Sequence, residues 1–560
     1  MNSSVYNSIR DWIKSQPTLR NFARIFRTKI FGDLSWSRFA DNIQEEKKSI
    51  IKRPNILVAT SFGGEVAITA VESLLSAALT VRGANVHVLL CDGIAACQLC
   101  DITRFSSTKN FVENGLPKYV CKACCKAGMK IYGSLALTTH KMSDYLDEAD
   151  LEFARDLAEN HPVDQIKVLK INSVPVGEHA FAGTCRYFAK ADFSDEPYKE
   201  SVLRKYLYSA LLVMRSTQKL MNEIDYTCVL LNHGIYIPQG VIAEVARHNK
   251  TRIVTWNTAY RKQCFIFSHN DTYHHELMYE PNSNWENIEL NKETDHKITK
   301  YIESRSVGIN DWISFNNVPR SDDENLRTAL NIENNKKIVT MYTNVMWDAQ
   351  LHYPANIFAN MLTWITETVQ YFEKRNDIHL VIRVHPAELS GHLVSRQLVS
   401  EVVQTQFGKN LHNVSIIGPD VAQNSYSLAH FSDAVIIYGS KIGVEISTMG
   451  KPVIIAGEAW LRNKGIAIEP ATKQEYFSQL DKLPFEIMPS PENIVKAKKY
   501  AYHFFFRRMI PLKAIKPTGG VPKYRVHIDS VDKLRPGYDN GLDVICSGIL
   551  HGTEFIYDEE

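Results

Sequence analysis

The sequence predicts an α/β protein made of two Rossmann-like domains facing a central cleft. Three observations carry this. Short apolar runs alternate with helical stretches along most of the 560 residues, the pattern of parallel sheets covered by helices on both faces. The alternation breaks off in a polar, His-rich stretch from Asn270 to about Asp323 and then restarts, which marks two units. The length also exceeds what a single core normally supports.

The first unit opens with PNILVATS (Pro54 to Ser61), a buried strand, and GEVAITAVESLLSAALTVRG, a helix ending at Gly83. NVHVLLC is the next strand. After an interruption come IKVLKI, a helix from about Glu200 to Glu223, the strand TCVLLNHG, a helix near Val241 to His248, and TRIVTW. The second unit runs through KKIVTMYT, a helix from Ala355 to Phe372, HLVIRVHP, a helix around Leu393 to Gln406, then NVSIIG, DAVIIYG and PVIIAG. The expected division is a helical extension over 1–53, a first domain over 54–325 with a Cys-rich insertion at 91–128, a second domain over 326–485, and C-terminal helices over 486–560 that pack back across both.

Composition excludes several classes. Lys plus Arg number 64 against 62 for Asp plus Glu, so no global charge argues for nucleic acid. No apolar run approaches the roughly 18 residues of a membrane span. The first residues lack the apolar core and small-residue cleavage site of a secretory signal. With 44% apolar and 22% charged residues, the expectation is a cytoplasmic enzyme.

In such sheets ligands lie outside the carboxyl ends of the strands, which directs attention to three turns. In YGSKIGVE, Gly439 and Ser440 follow a strand and open a helix whose amides favour phosphate, with Lys441 beside them. Glu445 stands about a turn and a half inside, placed to accept from ribose hydroxyls. HLVIRVHPAE puts Arg383, His385 and Glu388 at another strand end, where an arginine fork suits phosphate oxygens. TSFGGEVAITA puts Gly63, Gly64 and Glu65 at the first strand-to-helix turn. Paired glycines allow close approach to the backbone, and Glu65 is a candidate base. Glu178 and His179 in GEHAF compete for that role.

RVHPAE and YGSKIGVEISTMGKPVIIAGEAWLRNKG resemble the C-terminal half of capsule-polysaccharide biosynthesis glycosyltransferases of GT-B architecture. That group includes bacterial sugar-acid transferases and is distantly similar to polyol-phosphate transferases of wall teichoic acids. LLNHGIYIPQGVIAEVARHNKTRIVTWNTAYRKQCFIFSHNDTYHHE and VGEHAFAGTCRYF look like stretches of the same kind of protein. The resemblance covers most of Pro54 to Asp481. It implies a nucleotide-sugar donor in the second domain, with Arg383 and His385 at the nucleotide, Ser440 and Lys441 at the phosphates and Glu445 at the ribose. It implies a glycan or lipid-linked acceptor in the first. The TSFGGE turn is also similar to the S-x-G-E turn of lipid A sugar-acid transferases, whose Glu is the base, although this chain has an extra Gly. A nucleotide-sugar 2-epimerase and a non-catalytic zinc-containing scaffold of the assembly machinery are the rival readings.

The insertion holds Cys97, Cys100, Cys121, Cys124 and Cys125. C-x-x-C, twenty residues and C-x-x-C match the ligand spacing of a zinc ribbon. The expectation is structural zinc on Cys97, Cys100, Cys121 and Cys124, with an iron–sulfur cluster as the alternative and no organic cofactor. Finally, residues 1–32 interleave Arg10, Lys14, Arg20, Arg24, Arg27 and Lys29 with Trp12, Ile13, Leu19, Phe22, Ile25, Phe26, Ile30 and Phe31. YHFFFRRMIP (Tyr502 to Pro511) repeats the combination. Both segments predict peripheral contact with an anionic membrane, and for residues 1–32 docking on the protein's own core is the alternative.

Overall fold

The computed structural model describes residues 16–31, 36–48, 53–305, 310–312, 324–349, 351, 354–391, 393–421, 423–518 and 522–559. Two sheets organise them. The first contains β1 (Asn55–Ser61), β2 (Asn85–Leu90), β3 (Thr138–Lys141), β4 (Cys228–Asn232), β5 (Arg252–Thr258) and β6 (Cys264–His269). The second contains β7 (Lys337–Tyr342), β8 (Ile378–Arg383), β9 (Val414–Ile417), β10 (Ala434–Ile437) and β11 (Val453–Ile455). The first sheet gains β12 (Ile510–Pro511) from the far end of the chain.

The strand orders are β12-β6-β5-β4-β1-β2-β3 and β11-β10-β7-β8-β9. Within the first, β1 to β5 are parallel and β6 and β12 antiparallel; the second is parallel throughout. Each parallel set therefore reads 3-2-1-4-5, a doubly wound order whose ligand crevice opens where the winding reverses. Those points are β1/β4 in one sheet and β7/β10 in the other. The strands suit this arrangement. All six residues of β8 and six of seven in β1 are buried, as continuous apolar strands covered on both faces must be.

The helix Val66–Val81 is buried everywhere except at Ala67. A helix apolar all round needs cover on every side, and the C-terminal segment supplies it. After the second sheet, the helix Pro491–Tyr502 and one π-helical turn, His503–Arg507, lead the chain back to β6. The hairpin β13 (Ile515–Pro517) and β14 (Tyr524–Val526), with the helix Asn540–His551, then close over Val66–Val81. This corrects the membrane expectation for residues 502–511. Phe504, Phe505 and Phe506 are buried in the core, and Arg508 is an ion-pair partner of Glu280 at 2.9 Å.

The Cys-rich insertion is helical, where a ribbon was expected. Cys121 and Cys124 sit inside the helix Lys118–Gly133. Its buried residues Val120, Cys125, Gly128, Ile131 and Tyr132 recur at helical spacing, and that periodicity overrides the knuckle a C-x-x-C pair can form. The helix Pro17–Phe31 packs on this insertion. Asn21 donates to the Arg104 carbonyl at 3.1 Å, and the Phe22 ring lies 6.0 Å from Tyr119. Residues 1–15, with Arg10, Trp12, Ile13 and Lys14, lie outside the described residues.

Candidate active site

At the β1 end, Ser61 takes a left-handed conformation (φ 57°) and Glu65 caps the helix Val66–Val81 without a side-chain capping bond. Glu65 is half-buried, and its charge reaches the Tyr524 phenol, which itself lies 3.3 Å from Thr258 at the β5 end. The glycines beside it have another role than the one expected. A Cβ on Gly63 would stand 2.5 Å from the Gly128 backbone, and one on Gly64 3.0 Å from Cys124 Cα. The neighbour they admit is the helix Lys118–Gly133, not a substrate.

His179 is likewise corrected. It is buried against Gly240, and its Nδ1 meets the Ile235 carbonyl at 2.7 Å. No acceptor hydroxyl reaches such a position, so it is a packing residue. Glu178 is half-buried one position earlier on the same helix.

The β4 end carries a residue the sequence reading passed over. His233 holds φ 37° in front of Gly234, so neighbouring strands β1 and β4 both end in a left-handed non-glycine residue, a form of strain that collects at working sites. His233 Nδ1 accepts from the Ile235 amide at 3.0 Å, so the proton lies on Nε2, which faces Gln98 Oε1 at 2.5 Å. Burial, with Arg186 and His274 nearby, pushes its pKa down to about 3. It is a neutral hydrogen-bond donor. Arg186 donates to the Gln98 carbonyl at 2.8 Å and lies over the Tyr236 ring.

From here the contacts cross between the two sheets' units. Tyr236 donates its hydroxyl to Asp348 at 2.5 Å and accepts from the Ala349 amide at 2.7 Å. The helix Tyr273–Tyr279 stacks Tyr273 and His274 on Trp460, with centroids 5.6 and 5.4 Å apart. His275 bridges Asp271 at 2.9 Å and Glu458 at 3.0 Å. Burial lowers its pKa, but the two carboxylates outweigh burial and raise it to about 9. His275 is an imidazolium at neutral pH. The repeated His in NDTYHHE and the NHG at a strand end were the signals for this cluster, but a single sequence gives each only a local meaning.

On the opposite wall, Gly439 is required by its own chain: a Cβ there would meet the Glu458 carbonyl at 2.5 Å. Ser440 and Lys441 are half-buried at the crevice. The helix behind them spans only Ile442–Ser447. Lys441 extends its ammonium 4.9 Å over the Tyr260 ring and pairs with Glu445 at 3.0 Å. Burial and Arg305 lower its pKa against the pull of Glu445.

Glu445 does not face the crevice as expected. It is fully buried and holds Arg305 at 2.8 Å, Lys441 and the Tyr426 hydroxyl at 2.5 Å. Its oxygens anchor Lys441 instead of a ribose. Arg383 is corrected in the same way. Its guanidinium donates to the carbonyls of Gly418 (2.6 Å) and Gln423 (3.1 Å), pinning the loop after β9. Glu388 is buried and accepts from the Val399 amide at 3.0 Å, capping the helix Val399–Phe407. His385 stays at the crevice. It is half-buried, accepts from the Ala387 amide at 3.0 Å, and is driven to a pKa of about 4 by burial, Lys441 and Arg383.

The cysteines gather behind the β1 turn. Cys91, Cys97, Cys100, Cys121 and Cys124 line one cavity together with Asn21 and Arg104. Cys125 is not part of that lining and feels the charges of Asp92 and Lys141. None of the ten cysteines is in a disulfide. Among the described residues no three His, Cys, Asp or Glu side chains already converge as a metal-holding group.

Residues 268–481 match the family described as capsule polysaccharide biosynthesis protein. That segment runs from the end of β6 through the second sheet and includes the His274–His275 cluster. No curated protein matches the chain. Among solved structures it is similar to the KpsC beta Kdo 2,4 transferase of Thermosulfurimonas dismutans, at 11% identity over 55% of this chain and 87% of that one, TM-score 0.33. It is similar to a Neisseria meningitidis UDP-GlcNAc 2-epimerase bound to UDP-GlcNAc, at 14% identity over 52% and 76%, TM-score 0.24. A sucrose-phosphate synthase from Thermosynechococcus elongatus matches at 10% identity over 81% and 95%, TM-score 0.27. At these scores the architecture rests on the strand orders described above.

Proposed function

We propose that this chain, whose residues 268–481 match the capsule polysaccharide biosynthesis family, is a GT-B-type glycosyltransferase that moves a sugar from a nucleotide-sugar donor to a glycan or lipid-linked acceptor. The observation that carries the reading is the pairing of switch points. Two sheets of the same doubly wound order present their carboxyl edges to a region where groups from both units meet: Tyr236 with Asp348, His275 with Glu458, Lys441 with Tyr260.

In this reading the donor lies along the β7/β10 edge. Lys441, anchored by Glu445, offsets phosphate charge, and the neutral His385 contacts the nucleotide. The acceptor approaches from β1/β4. Its hydroxyl oxygen attacks the anomeric carbon, the carbon–oxygen bond to phosphate breaks, and the nucleotide leaves with the bonding pair. The hydroxyl proton passes to Glu65. Cations and donors already fixed around the leaving phosphate stabilise the developing charge without reorganisation.

A lipid-linked acceptor also gives the helix Pro17–Phe31 a use. Leu19, Phe22 and Phe26 stand exposed on it, Phe22 at 56% and Phe26 at 65%, on a segment rich in Arg and Lys. Such a face suits peripheral contact with an anionic bilayer, which would place the protein at the inner face of the membrane.

The test is donor turnover by the full chain with cytidine- and uridine-linked sugars. Nucleotide release that needs an acceptor supports transfer. Epimerised donor without an acceptor supports the 2-epimerase reading, and no turnover of any donor supports a scaffold.

A further inference from the structure

Two C-x-x-C pairs lie far apart along the insertion, yet the fold brings them to one cavity of about 40 Å³. Cys97 and Cys100 bracket a turn closed by a 2.8 Å bond from the Cys100 amide to the Cys97 carbonyl, and their thiols hydrogen-bond to each other. Cys121 and Cys124, three apart, share a face of the helix Lys118–Gly133. Cys121 lies against Gly93, and Cys124 Sγ accepts from the Gly64 amide at 3.1 Å. An amide aimed at sulfur is the kind of contact that stabilises a metal-bound thiolate. Arg104 lines the same cavity and is paired with Asp101 at 3.5 Å.

We propose that this cavity binds one zinc ion through Cys97, Cys100, Cys121 and Cys124, and that the ion clamps the turn after β1 to the insertion. Four thiols surround a d¹⁰ ion tetrahedrally and leave no open position, so the role is structural. Binding releases the four thiol protons to solvent and leaves a site of net charge −2. Among the described residues no three of these side chains stand together as a metal-holding group, so the ion acts by drawing the two pairs together. Cys91 lies close behind, near Cys97 and Cys121, but stands outside both pairs. The consequence reaches function through geometry. Gly63 and Gly64 pack directly on this helix, so the ion fixes the position of Glu65 next to them. The helix Pro17–Phe31 contributes Asn21 to the same cavity and should dock less firmly without it.

The site can be tested without any donor or acceptor, so its failure would leave the transferase reading standing, and the reverse. Full-length protein purified without a metal-affinity step should contain about one zinc by elemental analysis. Cys97→Ser and Cys121→Ser should lose it, while Cys91→Ala and Cys125→Ser keep it. Should the serine variants misfold, the wild type still decides: a strong zinc chelator should lower its thermal midpoint, and zinc alone should restore it. Stoichiometric iron with visible absorption would replace zinc by an iron–sulfur cluster. Metal-free protein with an unchanged midpoint, or loss of zinc in Cys91→Ala alone, would overturn the proposal.

Discussion

Replacing His275 by Gln should remove a pH-dependent part of the stability. The imidazolium sits between Asp271 and Glu458 with only 18% of its side chain exposed, and its pKa rises from the ordinary 6.5 to about 9. At about 1.4 kcal/mol per pH unit, that interval corresponds to about 3 kcal/mol once its partial exposure is discounted. Asp271 is held below the usual carboxylate range, against its burial, by the same imidazolium and by Arg247. That is one interaction seen from its other end and is counted once. Because the folded pKa is the higher one, the contribution is complete below pH 6.5 and is lost as pH rises through about 9. Thermal midpoints of wild type and His275→Gln should therefore differ most near pH 6, by up to on the order of 10 °C for one unfolding domain, and converge above pH 9.5. A gap that stays constant, or widens with pH, would show that His275 is not held as an imidazolium by these carboxylates.

Glu65→Gln keeps shape and hydrogen bonding but cannot take a proton, so turnover should fall by roughly 10²-fold with donor affinity near wild type; normal turnover would remove Glu65 from the chemistry. Glu445→Gln should act on stability before activity. It breaks a buried pair with Arg305 and should destabilise by about 3 kcal/mol, with donor binding weakened only through the released Lys441, as denaturation and ligand titration on the same variant would separate.

The fold was legible where one element explains its own sequence. The runs NILVATS, IHLVIR and AVII are β-branched and apolar because both faces of a parallel strand are covered, and that is readable from one segment. The antiparallel additions β6 and β12 were not, since CFIFSH pairs with a strand on one side and with Ile510–Pro511, some 240 residues later, on the other. The site was legible as strand ends but not as side-chain directions. Arg383, Glu388 and Glu445 were placed in the right turns, yet each turns inward to satisfy backbone or buried charge. Burial of an ionised group requires partners, and partners such as Arg305 come from distant segments. Gly63 and Gly64 show the same limit: their lack of a side chain was evident, but the helix they accommodate was not.

Titrating the full-length protein with nucleotides is the most direct measurement of the central claim, because a donor site along β7/β10 must hold a nucleotide before it can do anything else. A cytidine or uridine nucleotide should raise the thermal midpoint saturably, as any ligand of the native state does, and Lys441→Ala should weaken that response. NAD should have no effect. Stabilisation by NAD alone, or a pyrimidine response untouched by Lys441→Ala, would contradict the assignment of this edge as the donor site.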